Sequence, residues 1–176
     1  MIKYKPKIYS FRTKHLNPFL KKQIFQLKKS HYRYSLASQK KWFKDNINTK
    51  DIHLVLILNK KVIGYNLLHK KKCNINFVKK KVSASIFIFD TLIIHKSFRN
   101  QNFSKLIMRE SNKIIVKNKK ISILVCLKTL IKFYKKFSWR IFPKKKLIYK
   151  HLKTNKFSMI YGKNINIKKI RKIVVL

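Results

Sequence analysis

The segment Arg99-Asn100-Gln101-Asn102-Phe103-Ser104-Lys105 joins a strand-like apolar run to a helix-like amphipathic run, and it sets cations beside small polar residues. A loop that enters a helix presents unpaired backbone N–H groups and the positive end of the helix dipole, which suits a phosphate. Asn tolerates left-handed backbone better than most residues, so Asn102 can hold a turn that would otherwise want glycine. Ser104 is small and can cap the helix. One further residue could move a proton: Asp90, inside the apolar strand just ahead of the loop. The other acids are Asp45, Asp51 and Glu110, which read as loop, cap and helix-surface residues. His15, His31, His53, His69, His95 and His151 show no HxxxH or HExxH spacing, so no metal site is expected. Cys73 and Cys126 have no CxxC spacing, which argues against a disulfide framework or a zinc site, and Cys126 reads as a packing residue.

These residues need elements to position them. Asn17-Pro18 reads as a cap followed by proline at the first helical position, and Leu20, Ile24, Leu27 and His31 fall on one helix face. A second helix is expected from near Ser38, with Trp42, Phe43 and Ile47 turned inward. His53–Leu58 reads as a buried strand, Asn59-Lys60-Lys61 as a turn, and Val62–Leu68 as the returning antiparallel strand. Lys70–Lys72 is expected to be a turn or loop, Asn74–Val78 a weak strand and Ser85–Ile94 a long one. Phe103–Val116 has helical spacing with Asn118 as its C-cap, and Ile121–Leu127 reads as a buried strand. A helix between those last two strands makes them parallel neighbours joined by a right-handed crossover. Leu130–Phe137 is expected to be a short helix and Phe157–Tyr161 a strand. The pattern predicts an α/β fold. It is a single domain over 1–176, with a mixed, mostly antiparallel sheet flanked by helices and one parallel strand–helix–strand unit.

With 46 Lys+Arg against 4 Asp+Glu the formal net charge is +42, yet 45% hydrophobic residues suffice for a core. Lysines are spread along the whole chain, and Arg occurs only at 12, 33, 99, 109, 140 and 171. Abundant Lys, Asn, Ile, Phe and Tyr with scarce Gly, Pro and Ala match drift toward A/T-rich codons. A selected polyanion-binding surface is the alternative. Either origin gives unspecific, salt-sensitive attraction to polyanions. No run approaches the ~18 apolar residues of a membrane span. Met1–Ser10 lacks the apolar stretch of a secretory signal, so a cytoplasmic protein is expected.

The order of elements and several residues resemble the Gcn5-related N-acetyltransferases (GNAT), which move an acyl group from acyl-coenzyme A to an amine. LVLILNKKVIGYNLL (54–68) resembles that family's second and third strands, with Gly64 at its usual glycine. DTLIIHKSFRNQNFSKLIM (90–108) resembles its coenzyme A motif, and ISILVCLKTLIKFYKKFSW (121–139) the following strand and tyrosine-bearing helix. The likeness runs from residue 52 to about 157. The family loop reads Arg/Gln, two residues, Gly, one residue, Gly/Ala. Arg99 matches, while Asn102 and Ser104 stand at the small positions and Ser138-Trp139 replaces a usual Gly-Phe.

The resemblance implies acetyl-CoA as co-substrate and no metal. It places the pyrophosphate at residues 99–105, with Arg99, Gln101, Asn102, Phe103, Ser104 and Lys105 binding it. Leu92 and Ile94 would bond the pantetheine arm, and a strand N–H near Ile94 would polarise the thioester. Tyr134 would protonate the departing thiolate and Asp90 would serve as general base. The segment SHYRYSLASQKKWF, which contains His31, is similar to the first two helices of family members acting on amino sugars. The implied acceptor is therefore a small-molecule primary amine, with an amino sugar among the candidates. Two other readings stay open: a basic RNA-binding or ribosome-associated protein, and a catalytically inactive protein of the same fold. Clustering of Lys on one folded face would favour the RNA reading.

Overall fold

The computed structural model describes residues 5–149, 155–162 and 166–176; His151 lies outside them. The strands are β1 (Lys7–Arg12), β2 (Ile52–Leu58), β3 (Lys61–Phe77), β4 (Lys81–Ile94), β5 (Ser122–Cys126), β6 (Arg140–Phe142), β7 (Leu147–Ile148), β8 (Phe157–Tyr161) and β9 (Ile170–Val175). The helices are α1 (Pro18–His31), α2 (Leu36–Asn46), α3 (Phe103–Lys117) and α4 (Ile131–Lys135). The fold is mixed α/β, with mostly antiparallel pairing and a parallel β4–β5 pair. The chain forms two compact units: one runs through His69 and resumes over Asp90–Ser111, and the other takes Lys70–Phe89 and Asn112–Leu176.

In the first unit the strands follow the order β1, β2, β3, β4. The β2–β3 hairpin closes on Asn59 and Lys60, both at positive φ (48° and 61°), with Leu58 opposite Lys61. Two left-handed residues match the twist of paired strands, which fixes the register. Asn17 caps α1 by accepting from the Leu20 amide at 2.8 Å, and Ser35 caps α2 by accepting from the Ser38 amide at 3.0 Å. The second helix therefore begins at Leu36, two residues before the expected Ser38. Leu20, Ile24 and Leu27 of α1 pack with Val55, Val62, Tyr65, Leu67 and Ile93 as the core of this unit. His31, expected on the same face, is exposed. Gly64 is required by close approach: a Cβ there would meet Ile94 Cδ1 at 2.9 Å, Ile107 Cδ1 at 3.0 Å and Leu56 Cβ at 3.2 Å.

In the second unit β4 is followed by β5, β8 and β6, and β3 pairs with β9, which pairs with β7. Phe87 and Ile88 sit opposite Ser122 and Ile123 in the parallel pair, as the strand–helix–strand pattern predicts. Lys70–Lys72 is not a turn. The strand runs on to Phe77 because Cys73–Phe77 pair with Ile170–Val175, a partner nearly a hundred residues away. Asn118 follows α3 at the expected C-cap position, its Nδ2 donating to the Ile114 carbonyl at 2.8 Å, and Lys119 (φ 51°) takes the left-handed position after it. The strands β1, β6, β7 and β9 were not foreseen, and α4 is shorter than Leu130–Phe137. Both thiols are free and buried. Burial pushes Cys73 up to about 11 and raises Cys126 as well, which leaves them as packing groups. Among the described residues no helix is long and apolar enough to cross a membrane, and no cluster of His, Cys, Asp and Glu could hold a metal ion.

Candidate active site

At the end of β4 the chain leaves the sheet through a short turn, and His95 is tied back by its amide to the Ile63 carbonyl at 2.8 Å. Arg99 follows, then Asn100 and Asn102, both at φ 62°, and α3 begins at Phe103. Asn102 thus holds the left-handed turn expected of it, and Asn100 holds a second. Ser104 is the second residue of the helix and not its cap, because the turn at Asn102 starts the helix one step earlier. The Lys105 amide donates to the Asn102 carbonyl at 2.9 Å. Arg99, Gln101, Asn102 and Lys105 are exposed, while Phe103 and Ser104 are half-buried. Arg99 Nη2 donates to His31 Nδ1 at 3.1 Å and its Nε to the Ile94 carbonyl at 3.4 Å. Partial burial first and the Arg99 charge second lower the His31 pKa. Leu92 and Ile94 are half-buried on one side of β4, with buried Ile93 between them on the other.

One turn of chain before that loop, β4 carries a local distortion. Thr91 has φ 60°, a strained conformation for a β-branched residue inside a strand. The buried Asn66 of β3 supports it: its Nδ2 donates to the Asp90 carbonyl at 2.8 Å, and its Oδ1 takes the Ser111 hydroxyl at 3.0 Å. The kink faces a cavity of about 450 Å³ whose lining includes Lys28, Tyr32, Tyr34, Trp42, Asp90 and Thr91. This volume suits a small metabolite. Burial, reinforced by the Asp90 charge, pushes the Tyr32 hydroxyl up to about 12, so it stays protonated and able to donate. Burial lowers the Lys28 pKa, with Asp90 opposing, and its ammonium lies 4.6 Å from the Trp42 ring centroid.

Asp90 is thus brought into one cavity with Lys28, Tyr32 and Thr91, none of which the sequence reading had singled out. A signal was present for two of them. Lys28 falls four residues after Ile24 on an apolar stripe, and Thr91 completes a polar pair inside an otherwise apolar strand.

Tyr134, in the second unit, is buried at 7% exposure. Its ring meets Phe89 and Phe133 edge-on, with centroids 6.1 and 5.2 Å away, and lies 6.3 Å from Trp139. Ser138, at φ 63°, turns the chain from α4 into β6. Trp139 Nε1 donates to Asn112 Oδ1 at 3.1 Å, and Asn112 Nδ2 donates to the Phe137 carbonyl at 2.9 Å. The serine holds a left-handed turn where the resemblance has glycine, as Asn102 does.

No protein-family model matches the sequence, and no curated protein does. Solved structures do. The GNAT-family N-acetyltransferase YhbS from Escherichia coli, in complex with CoA, is 12% identical with a TM-score of 0.67, covering 98% of this chain and 91% of that one. ElaA from Escherichia coli is 12% identical with a TM-score of 0.65, covering 90% of this chain and 100% of its own. An acyl-CoA N-acyltransferase from Pseudomonas aeruginosa is 11% identical with a TM-score of 0.65 and the same two coverages. The chain has the fold of the Gcn5-related N-acetyltransferases.

Proposed function

We propose that the protein is an acetyl-CoA-dependent N-acetyltransferase acting on a primary amine of a small molecule, with the whole chain as one functional domain. The observation that carries this is the path from β4 through Arg99 and the left-handed Asn100 and Asn102 into α3. It is a phosphate-type loop at the N-terminus of a four-turn helix, next in sequence to a small-molecule cavity that holds a carboxylate. The CoA held by YhbS, a protein of like fold, supports the same reading.

In this reading the amides of residues 102–104, with Arg99 and Lys105, hold the pyrophosphate, and β4 at Leu92 and Ile94 takes the pantetheine arm. Asp90 takes a proton from the acceptor's ammonium, directly or through water, and the freed amine attacks the thioester carbonyl, so that the C–N bond forms, the C–S bond breaks and coenzyme A leaves as its thiolate. Tyr134 gives its hydroxyl proton to the departing thiolate. The rival reading, a silent protein of the same fold, draws on the packing of Tyr134 within an aromatic cluster.

The test is thermal denaturation with acetyl-CoA, in salt high enough to suppress unspecific attraction to the +42 chain. Binding at a hundredfold excess over Kd stabilises by about 2.7 kcal/mol. No shift at millimolar ligand overturns the proposal. A shift without thiol release against any amine of a broad panel favours the silent reading.

A further inference from the structure

The cavity beside Thr91 constrains the chemistry of the acceptor, on the understanding that the protein acetylates an amine. We infer that the acceptor is a mono-amine that also carries an anionic group, carboxylate or phosphate, with its ammonium at Asp90 and its anion at Lys28.

The argument begins with charge. Asp90 and Lys28 line the same cavity and together bring no net charge into it. An ordinary ammonium entering at Asp90 would leave two cations sharing one carboxylate within the same cavity. An amine with its own anion keeps the balance. Lys28 is already in an unfavourable position: burial works against its charged form, and Asp90 is the opposing charge that supports it. An acceptor that engages Asp90 removes part of that support, and an acceptor anion restores it.

Polycationic acceptors are disfavoured on the same grounds. Asp90 is the cavity's carboxylate, while Asp51 is buried against His69 and Asp45 pairs with Lys41 at 3.2 Å on the surface. A polyamine would meet one anion here and be repelled by a chain of net charge +42, which attracts anionic solutes instead. The rest of the lining fits a compact body with hydroxyls or a flat face. Tyr32, Tyr34 and Trp42 give ring surfaces. Gln39, also lining the cavity, donates its Nε2 to the Tyr34 carbonyl at 3.2 Å. That bond fixes its amide, and its Oε1 has no hydrogen-bond partner among the described residues.

The experiment is titration calorimetry with matched ligands in about 0.3 M salt, where charges beyond several ångströms are largely screened. Glucosamine is compared with glucosamine 6-phosphate, and tyramine with tyrosine, so that phosphate and carboxylate are read separately. Spermidine serves as the polycation, and glucose 6-phosphate as an anion without an amine. At least one anionic amine should bind about tenfold or more tighter than its neutral counterpart, the scale of one charge-assisted hydrogen-bonded contact. Lys28→Gln should bring that ratio to within about twofold, while Lys28→Arg should retain most of it and control for folding. The inference is overturned by tighter binding of spermidine or of the neutral amines, by glucose 6-phosphate matching glucosamine 6-phosphate, by a ratio that survives Lys28→Gln, or by no binding at all. Failure of acetyl-CoA to stabilise the protein is read separately. It removes the acetyl-transfer reading even where anionic amines bind, whereas acetyl-CoA binding without the anion preference removes this inference alone.

Discussion

Asn100 and Asn102 stand on either side of Gln101 with the same backbone angle, φ 62°, so the loop between β4 and α3 makes two left-handed turns without a single glycine. Each turn carries a strain of about 1 kcal/mol relative to glycine, because a Cβ crowds the following carbonyl. If backbone amides and not side chains hold the pyrophosphate, Asn102→Gly keeps acetyl-CoA affinity or improves it by up to a few-fold. Arg99→Ala weakens it, and raised salt weakens both variants in parallel. Calorimetric Kd values decide the matter: loss of binding in Asn102→Gly together with an unchanged Arg99→Ala would show that the loop is no phosphate cradle.

Tyr134→Phe is expected to lower turnover by about two orders of magnitude or more while leaving acetyl-CoA affinity nearly unchanged, since general acid catalysis contributes about 10²–10⁴-fold. The ring stays in place against Phe89 and Phe133, so the fold is kept. Single-turnover rates with a competent amine provide the measurement, and an unaltered rate would return Tyr134 to a purely packing role.

Gly64→Ala is expected to destabilise the protein by about 1–3 kcal/mol, the usual cost of overpacking a filled core. Two of the three nearest atoms are mobile methyl ends, but Leu56 Cβ, 3.2 Å from the new methyl, is anchored to its strand. Urea unfolding reads the change as a lower midpoint at constant slope. An unchanged midpoint would mean that Ile94 and Ile107 swing aside without loss.

Acid should weaken the first unit through His53. Its Nδ1 lies 2.8 Å from the Tyr65 hydroxyl and its Nε2 2.9 Å from Thr13 Oγ1, and burial depresses its pKa from 6.5 to about 4 against the pull of Asp51. The unfolded chain therefore binds this proton first. No penalty exists above about pH 6.5, and stability is lost progressively as pH falls from there to about 4, by a few kcal/mol in order of magnitude. His53→Gln should flatten the dependence of Tm on pH across that window relative to the wild type. Parallel curves for the two proteins would place the acid sensitivity elsewhere.

Much of the frame was written in local pattern. Asn17-Pro18, the apolar stripe of α1, the turn and start of the β2–β3 hairpin, and the strand–helix–strand run from β4 to β5 each depend on residues a few positions apart, and each formed where expected. The tolerance of Asn102 for a left-handed turn was legible for the same reason: it is a property of one residue and its own backbone. The lysine run at 70–72 misled because its charge suggests a loop, and a lysine can keep its ammonium in water while its backbone completes a ladder.

What composition and periodicity could not supply was any arrangement closed by contacts distant in sequence. β3 extends to Phe77 because β9 comes to pair with it. Thr91 is held at positive φ within reach of Asn66, whose amide takes up the Asp90 carbonyl from the neighbouring strand. Lys28 was one lysine among many until α1 packed against the sheet and put its ammonium into a cavity with Asp90 and the face of Trp42. Local backbone preference determined the elements and the shape of the loop. The packing of apolar faces decided which charged and hydroxyl groups share one cavity, and it is that proximity, set only by the tertiary structure, that puts Asp90 and Lys28 within one site.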